Sequence, residues 1–403
     1  MPALPQAAAA AAAAAPVQRP AREPEPQRRR ALASARGRPF PARDARREGA
    51  ASPRVAAAAF AGALLGVEVA AHGRRRRRGR RAARAAAAVC SLRASGAAAA
   101  VVEPQSFPAA SGGAELEVLG GPAAEGSPSR RAALLLIHGS YHAAWCWEPH
   151  FLDHFRSLGY DTYAISLRGQ GNGTVVGEPP PVAGTLEEHA SDVAAFVEHM
   201  SKESGLPVVV LGHSFGGLIA QRAVADLVLA GSAAVAGMVL LASVPPSGNQ
   251  GLILRYIWRS PWLAVQITWG FVARAFERDA ELCRKLFFDP DMPLADVEGY
   301  MQKMRAGCPE GTRLLDLREL QRSLPVPPPA PGKLPVLVLG GDQDVIVDEE
   351  ALQETADAFG IAATVLPGVA HDAMLGPRWR DTGDALSAWL EELEPPAWEG
   401  RAG

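Results

Sequence analysis

Seven short apolar runs recur between residues 114 and 367, and helix-length patterns separate them. They are AELEVL (114–119), AALLLI (132–137), YDTYAISL (160–167), PVVVL (207–211), AGMVLLAS (236–243), PVLVLG (335–340) and ATVLP (363–367). Most are continuous rather than alternating, as expected of strands covered on both faces by helices in a parallel sheet. The clearest helix pattern opens at Thr185. There Thr185 and Glu188 form a T-x-x-E capping box, and Leu186, Ala190, Val193, Val197 and Met200 make one apolar stripe. Strand–helix alternation of this kind predicts an α/β domain with a mostly parallel sheet.

One of these junctions carries a chemical signal. Val208–Gln221 reads VVVLGHSFGGLIAQ, with Ser214 alone among Gly212, Gly216 and Gly217. G-x-S-x-G between a strand and a helix is the context a nucleophile elbow requires. The bland alternative is a tight turn with Ser214 as N-cap. A serine needs a base to take its proton, and the base needs an orienting acid. In chains built on such an elbow the acid and then the histidine follow the serine. Downstream of Ser214 there is one histidine, His371, in LPGVAHDAML. The acid is expected after the preceding strand, where VLVLGGDQDVIVDEE offers Asp342, Asp344 and Asp348. Asp344 is the expected acid and Asp342 the alternative; Asp348 suits the start of the next helix.

Developing charge on a substrate oxygen needs two N–H donors. The Phe215 amide supplies one. The loop in LLLIHGSYHAAWCW (134–147) is expected to supply the other from Ser140, or alternatively Tyr141. His138, His142 and His213 read as structural.

Taken in order, HGSYHAAWCW, RGQGNG, GHSFGG, LGGDQD and GVAHDAML resemble the α/β-hydrolase superfamily. The first motif is similar to the opening of plant methylesterases and hydroxynitrile lyases, and the set most resembles plant plastid-type α/β-hydrolases. The likeness covers about residues 114–395. It implies an α/β-hydrolase fold with an eight-stranded, mostly parallel sheet, a helical cap inserted after strand six, no cofactor, and Ser214, Asp344 and His371 as triad. Family members often have Asp where Ser166 stands, a departure expected to affect loop packing.

The cap is expected at about residues 245–330, a stretch with no strand-like run. Trp258, Trp262 and Trp269 are spaced four and seven apart, on one side of a helix. Together with Tyr141 they are candidate substrate-binding residues. A blander reading packs them in the cap's own core.

Residues 1–110 are rich in Ala, Arg and Pro and too poor in large apolar groups to bury a core, so they read as a disordered tail. Residues 1–100 hold 20 Arg and five acidic groups; the remainder holds 21 basic and 38 acidic. The Arg-rich, acid-poor tail fits a transit peptide, to a chloroplast or alternatively a mitochondrion, with processing near Val89–Ser95. An address-free tail in the cytoplasm and a nuclear signal are the other readings. The domain itself is expected over 111–395, with a short tail at 396–403. Its acidic balance argues against a nucleic-acid partner.

Val55–Val67 is too short to span a bilayer, so no transmembrane segment is expected. Cys90, Cys146, Cys283 and Cys308 show no metal spacing, and no metal site or cofactor motif is found. The expected function is a serine hydrolase acting on a small-molecule carboxylic ester, small and apolar or lipid-like, through an acyl-enzyme. The alternatives are a ligand receptor on the same scaffold with slow or no turnover, and a cyanohydrin lyase. The lyase would want a lysine near the pocket, and Gln343 and Val345 beside the acid offer none.

Overall fold

The computed structural model describes residues 103–110, 112–175, 180–309, 312–329 and 332–393. Eight strands form its main sheet: β1 (Gln105–Pro108), β2 (Ala114–Gly121), β3 (Ala133–Ile137), β4 (Thr162–Ile165), β5 (Val208–His213), β6 (Val235–Leu241), β7 (Val336–Gly341) and β8 (Ala363–Leu366). Their order across the sheet is β1-β2-β4-β3-β5-β6-β7-β8, and a two-residue strand, Thr174–Val175, pairs beside β2. β2 runs antiparallel to β1 and β4, and every later neighbouring pair is parallel.

All seven apolar runs are strands, and all but the edge strand β8 bury residues on both faces, since successive residues point to opposite sides. In β3, Leu135 and Ile137 join one buried cluster with Val193, Val197 and Leu218, while Leu134 and Leu136 join the other with Trp147, Phe151 and Phe155. Helix α1 is Phe151–Ser157, α2 Leu186–Ser204 and α3 Phe215–Leu229. α2 starts where the capping box predicts. The Glu188 amide donates to Thr185 Oγ1 at 3.2 Å, and the Thr185 amide donates to Glu188 Oε2 at 2.8 Å. Gly205, at φ 68°, ends it. The five stripe residues are all buried on the sheet.

Between β6 and β7 lies the helical cap: α4 (Gln250–Arg259), α5 (Pro261–Val272), α6 (Ala280–Phe287), α7 (Leu294–Gly307) and α8 (Leu317–Ser323). Its core is Phe276, Cys283, Leu286, Phe287, Val297 and Met304. After β7 come α9 (Glu349–Phe359) and, after β8, α10 (Trp379–Leu393).

Four expectations need correction. Residues 105–108, assigned to the tail, form the edge strand β1 on β2; its residues are mostly exposed, so the sequence shows no apolar run there. Arg313–Leu315 is a short strand paired with Val182–Gly184, too brief to leave a period. The three tryptophans do not share one helix. Ser260 and Pro261 separate α4 from α5, because a proline cannot donate to the turn before it. Nor do they pack inward: Trp258 is 84%, Trp262 70% and Trp269 63% exposed. Residues 1–102 of the tail, including Val55–Val67, Cys90 and Val89–Ser95, lie outside the described residues, as does 396–403. No helix among the described residues is long and apolar enough to cross a membrane.

Candidate active site

The parallel register brings the carboxyl ends of β3, β5, β7 and β8 to one edge, with Ile137 opposite Gly212 and Gly341 opposite Leu366. Chain leaving these ends carries the predicted triad and oxyanion donors, while Trp258, Trp262 and Trp269 follow β6 in the cap.

Ser214 follows β5 directly, at φ 54° and ψ −124°, a conformation that an L-residue adopts only under constraint. The constraint is visible. The Ser214 amide donates to the Leu241 carbonyl at 3.1 Å, and its carbonyl accepts from Gly217 at 3.0 Å and Val244 at 3.1 Å. The glycines around it are required by close approach. A Cβ on Gly212 would stand 2.6 Å from the Gly216 carbonyl oxygen. One on Gly216 would run into the His138 carbonyl, and one on Gly217 into Ser243 Oγ. Phe215 opens α3, so its N–H has no acceptor within the helix.

His371 and Asp344 meet as the sequence predicts. His371 Nδ1 lies 2.7 Å from Asp344 Oδ2, and Asp344 Oδ1 accepts from the amides of Ile346 (2.7 Å) and Val347 (2.9 Å). Both residues are buried. Burial opposes the imidazolium, but the Asp344 charge and hydrogen bond outweigh it and hold the His371 pKa above its ordinary value. The other two acids have separate duties. Asp342 Oδ1 accepts from the Gly368 amide at 2.7 Å. Asp348 caps α9 at Ala351 and pairs with Arg255 at 2.6 Å.

The loop after β3 runs against the elbow so closely that a Cβ on Gly139 would lie 2.8 Å from Ser214 Cβ. Two histidines hold its peptide planes. His138 Nε2 accepts from the Leu167 amide at 2.9 Å, which leaves the proton on Nδ1 to donate to the Gly139 carbonyl at 2.8 Å. Burial depresses the His138 pKa to about 3, so the ring is neutral. His142 Nδ1 lies 3.0 Å from the Ser140 carbonyl. In a trans peptide the N–H points opposite the C=O. Holding the Gly139 carbonyl therefore orients the Ser140 N–H, and holding the Ser140 carbonyl orients that of Tyr141.

Tyr141, at φ 66°, sends its ring to the cap. It stacks on Phe271 with ring centres 5.6 Å apart, and its hydroxyl donates to the Phe271 carbonyl at 3.1 Å. Burial raises the pKa of that hydroxyl, which stays protonated.

Asp372 is the member that sequence reasoning missed. It is fully buried, with Oδ2 3.0 Å from His142 Nε2 and Oδ1 3.8 Å from His213 Nε2. Burial opposes its ionisation; His142, with His213 and His371 nearby, outweighs that and keeps its pKa below the ordinary carboxylate value. His213, neutral because burial lowers its pKa to about 3, has Nε2 3.0 Å from the His371 carbonyl and so donates to it. The only prior signal was the Asp next to the histidine in GVAHDAML. The cap grips the same loop: the Asp372 amide donates to the Phe287 carbonyl at 2.7 Å and the Ala370 amide to Asp289 Oδ1 at 2.8 Å.

Ser166 fills its place as a loop-packing residue. Its hydroxyl donates to Glu117 at 2.6 Å and accepts from the Ala144 amide at 3.0 Å, next to the Gly139–Ala143 loop. Cys146, Cys283 and Cys308 are free and buried. His213, His371 and Asp372 are the one His/acid cluster among the described residues close enough to share an ion; His371 is engaged by Asp344, Asp372 by His142 and His213 by the His371 carbonyl.

Trp262 and Trp269 line an open groove of about 670 Å³ on the cap together with Leu282 and Phe288; Trp258 and Tyr141 are not in its wall. The groove ends at Gln343 and Val345, on either side of Asp344, and Ser214 and His371 lie beneath the cap with 6% and 2% exposure.

A sheet in this order, a strained serine after its fifth strand and a His–Asp pair after its last two strands define the class of doubly covered α/β proteins with a nucleophile elbow. The chain belongs to the alpha/beta hydrolase family, whose sequence profile matches residues 134–385. It is similar to protein phosphatase methylesterase 1 of Mus musculus, 36% identical over 103 residues, which is 25% of this chain and 26% of that protein. It is also similar to methylesterase 1 of Arabidopsis thaliana, 30% identical over 91 residues, 22% of this chain and 32% of that one. The match thus spans about a third or less of these relatives. Among solved structures, a soluble variant of the monoglyceride lipase of Saccharomyces cerevisiae superposes with TM-score 0.54 at 18% identity, over 77% of this chain and all of that one, a likeness of fold.

Proposed function

We propose that this chain is a serine-dependent carboxylic ester hydrolase. The observation that carries the reading is the 2.7 Å contact of His371 with Asp344 at the sheet edge where Ser214 is held strained. In this reading Ser214 Oγ attacks the ester carbonyl while His371 Nε2 takes its proton. Asp344 keeps the Nδ1 proton in place and stabilises the imidazolium. The Phe215 and Ser140 amides receive the oxyanion. The imidazolium then protonates the leaving alcohol, and water, activated by the same histidine, releases the acid from Ser214.

The methylesterase and lipase relatives support an ester as substrate, and the apolar wall of the groove favours a small apolar or lipid-like acyl part. The test is fluorophosphonate labelling of the full chain beside an ester and lipid panel. Labelling and turnover that vanish in Ser214→Ala are expected. Absence of labelling in the unaltered protein would overturn the reading.

A further inference from the structure

The cap carries a feature that hydrolysis does not use. Leu254 and Trp258 lie four apart on α4, and Trp262, Val265, Trp269 and Val272 recur at spacings of three, four and three on α5, an apolar face on each side of the Ser260–Pro261 break. Every one is exposed, from 41% at Val265 to 84% at Trp258. A water-facing helix places its apolar residues on the other side, so this face is built to meet something.

Charge indicates what it meets. From Leu227 to Phe276 the chain has no Asp or Glu, while Arg255, Arg259 and Arg274 are present. This occurs in a domain where acids outnumber bases. Arg259, 60% exposed on the flank of the stripe, pairs with the half-exposed Glu350 at 2.8 Å, Arg255 is held by Asp348 and Glu350, and Arg274 turns inward to Glu277. Across the groove, Asp279 and Glu281 are matched by Arg284 and Lys285. Paired helices with an apolar face rich in Trp and edged by Arg have the composition of an element lying in a bilayer interface. There indole rings sit at headgroup depth and cations meet anionic lipid.

We infer that the outer face of α4 and α5 docks on an anionic lipid bilayer, and that the groove mouth between Trp262 and Trp269 thereby opens at the membrane. Resting on the ester-hydrolase reading, this assigns membrane-resident lipid esters as the substrate class. A lipid ester leaves the bilayer along the groove wall and approaches the site beside Val345 without crossing water.

The test separates docking from turnover by using the full chain with Ser214→Ala. Vesicles of phosphatidylcholine and phosphatidylglycerol, 4:1 and with brominated acyl chains, are the probe, and quenching of Trp emission is the readout. Quenching is expected in the parent protein, together with a fall of roughly tenfold or more in partitioning, read by co-sedimentation with the vesicles, for Trp258→Ser/Trp262→Ser/Trp269→Ser. Leu254→Glu/Val272→Glu, altered outside the groove wall, is expected to fall likewise, and circular dichroism melts check that both variants fold.

Three results overturn the inference. One is no quenching by the parent protein. Another is equal binding by both variants, which would assign binding elsewhere, such as the Arg74–Arg78 run. The third is a concentration-dependent dimer in sedimentation that both variants lose while vesicle binding is absent, which would assign the face to a second copy. Failure of fluorophosphonate labelling would sink the hydrolase reading and leave the docking result standing.

Discussion

His142 and Asp372, 230 residues apart in sequence, share a buried 3.0 Å contact that ties the loop after β3 to the loop after β8. His142 also holds the Ser140 carbonyl, so one imidazole connects the loop that carries the expected oxyanion donor to the neighbour of His371. Asp372→Ala strands His142 in a buried site. It should cost about 3 kcal/mol of stability, since breaking a buried pair leaves one partner uncompensated. His142→Phe/Asp372→Leu should recover most of the melting temperature while fluorophosphonate labelling stays slow. Full labelling by the double variant would reduce the pair to packing.

Backbone strain at Ser214 can be measured. Ser214→Gly relieves an L-residue held at φ 54° and ψ −124°, whereas Ser214→Ala does not. Both should be inactive. The glycine variant should be more stable than the alanine variant by roughly 1 kcal/mol, the strain relief less the cost of glycine flexibility. Equal melting temperatures would show the elbow to be relaxed.

The pH profile follows from His371. Its pKa is raised above the ordinary 6.5 because Asp344 outweighs burial, and only the neutral ring acts as base. Activity should therefore fall as pH drops through that raised value. Asp344→Asn should slow labelling and move the acidic limb to lower pH. The stability linkage runs the other way: the contribution of the protonated ring is full below the unfolded pKa and is lost as pH rises through the folded one. A limb that Asp344→Asn leaves in place would assign it to another group.

Gly216→Ala tests the elbow's geometry without touching a reacting atom. Its methyl meets the His138 carbonyl, so the turn and the facing loop must part. A loss of roughly 100-fold in labelling rate is expected, on the scale of an ångström misplacement. Near-parental labelling would mean that the loop moves aside freely.

Residues 1–110 fused to a fluorescent protein should deliver it to plastids, as their Arg-rich, acid-poor composition suggests. Diffuse cytosolic signal would reject that address.

Much of this architecture was legible in the chain because continuous apolar runs admit few arrangements. Each of the seven became a strand, and the glycines around Ser214 announced the elbow. His371 was legible by position, being the sole histidine after the serine. What escaped depends on partners distant in sequence. Asp372 finds His142 230 residues away, and β1 is a strand through its pairing with Leu116 and Val118 rather than its own residues. The tryptophan spacing suggested one helix face, but Ser260 and Pro261 divide it between two helices, and periodicity does not say whether a face looks inward or outward. In α4 and α5 it looks outward.

The grip of the cap on the loop around His371 has a mechanical consequence. Phe287 and Asp289 hold the backbone on either side of the base, and Phe271 holds Tyr141 beside the elbow. A lid fastened in this way cannot lift as an independent flap. Swinging α5 and α6 away would pull on the backbone around His371, so on the proposed hydrolase reading admitting an ester and lining up its base would be successive states of one motion.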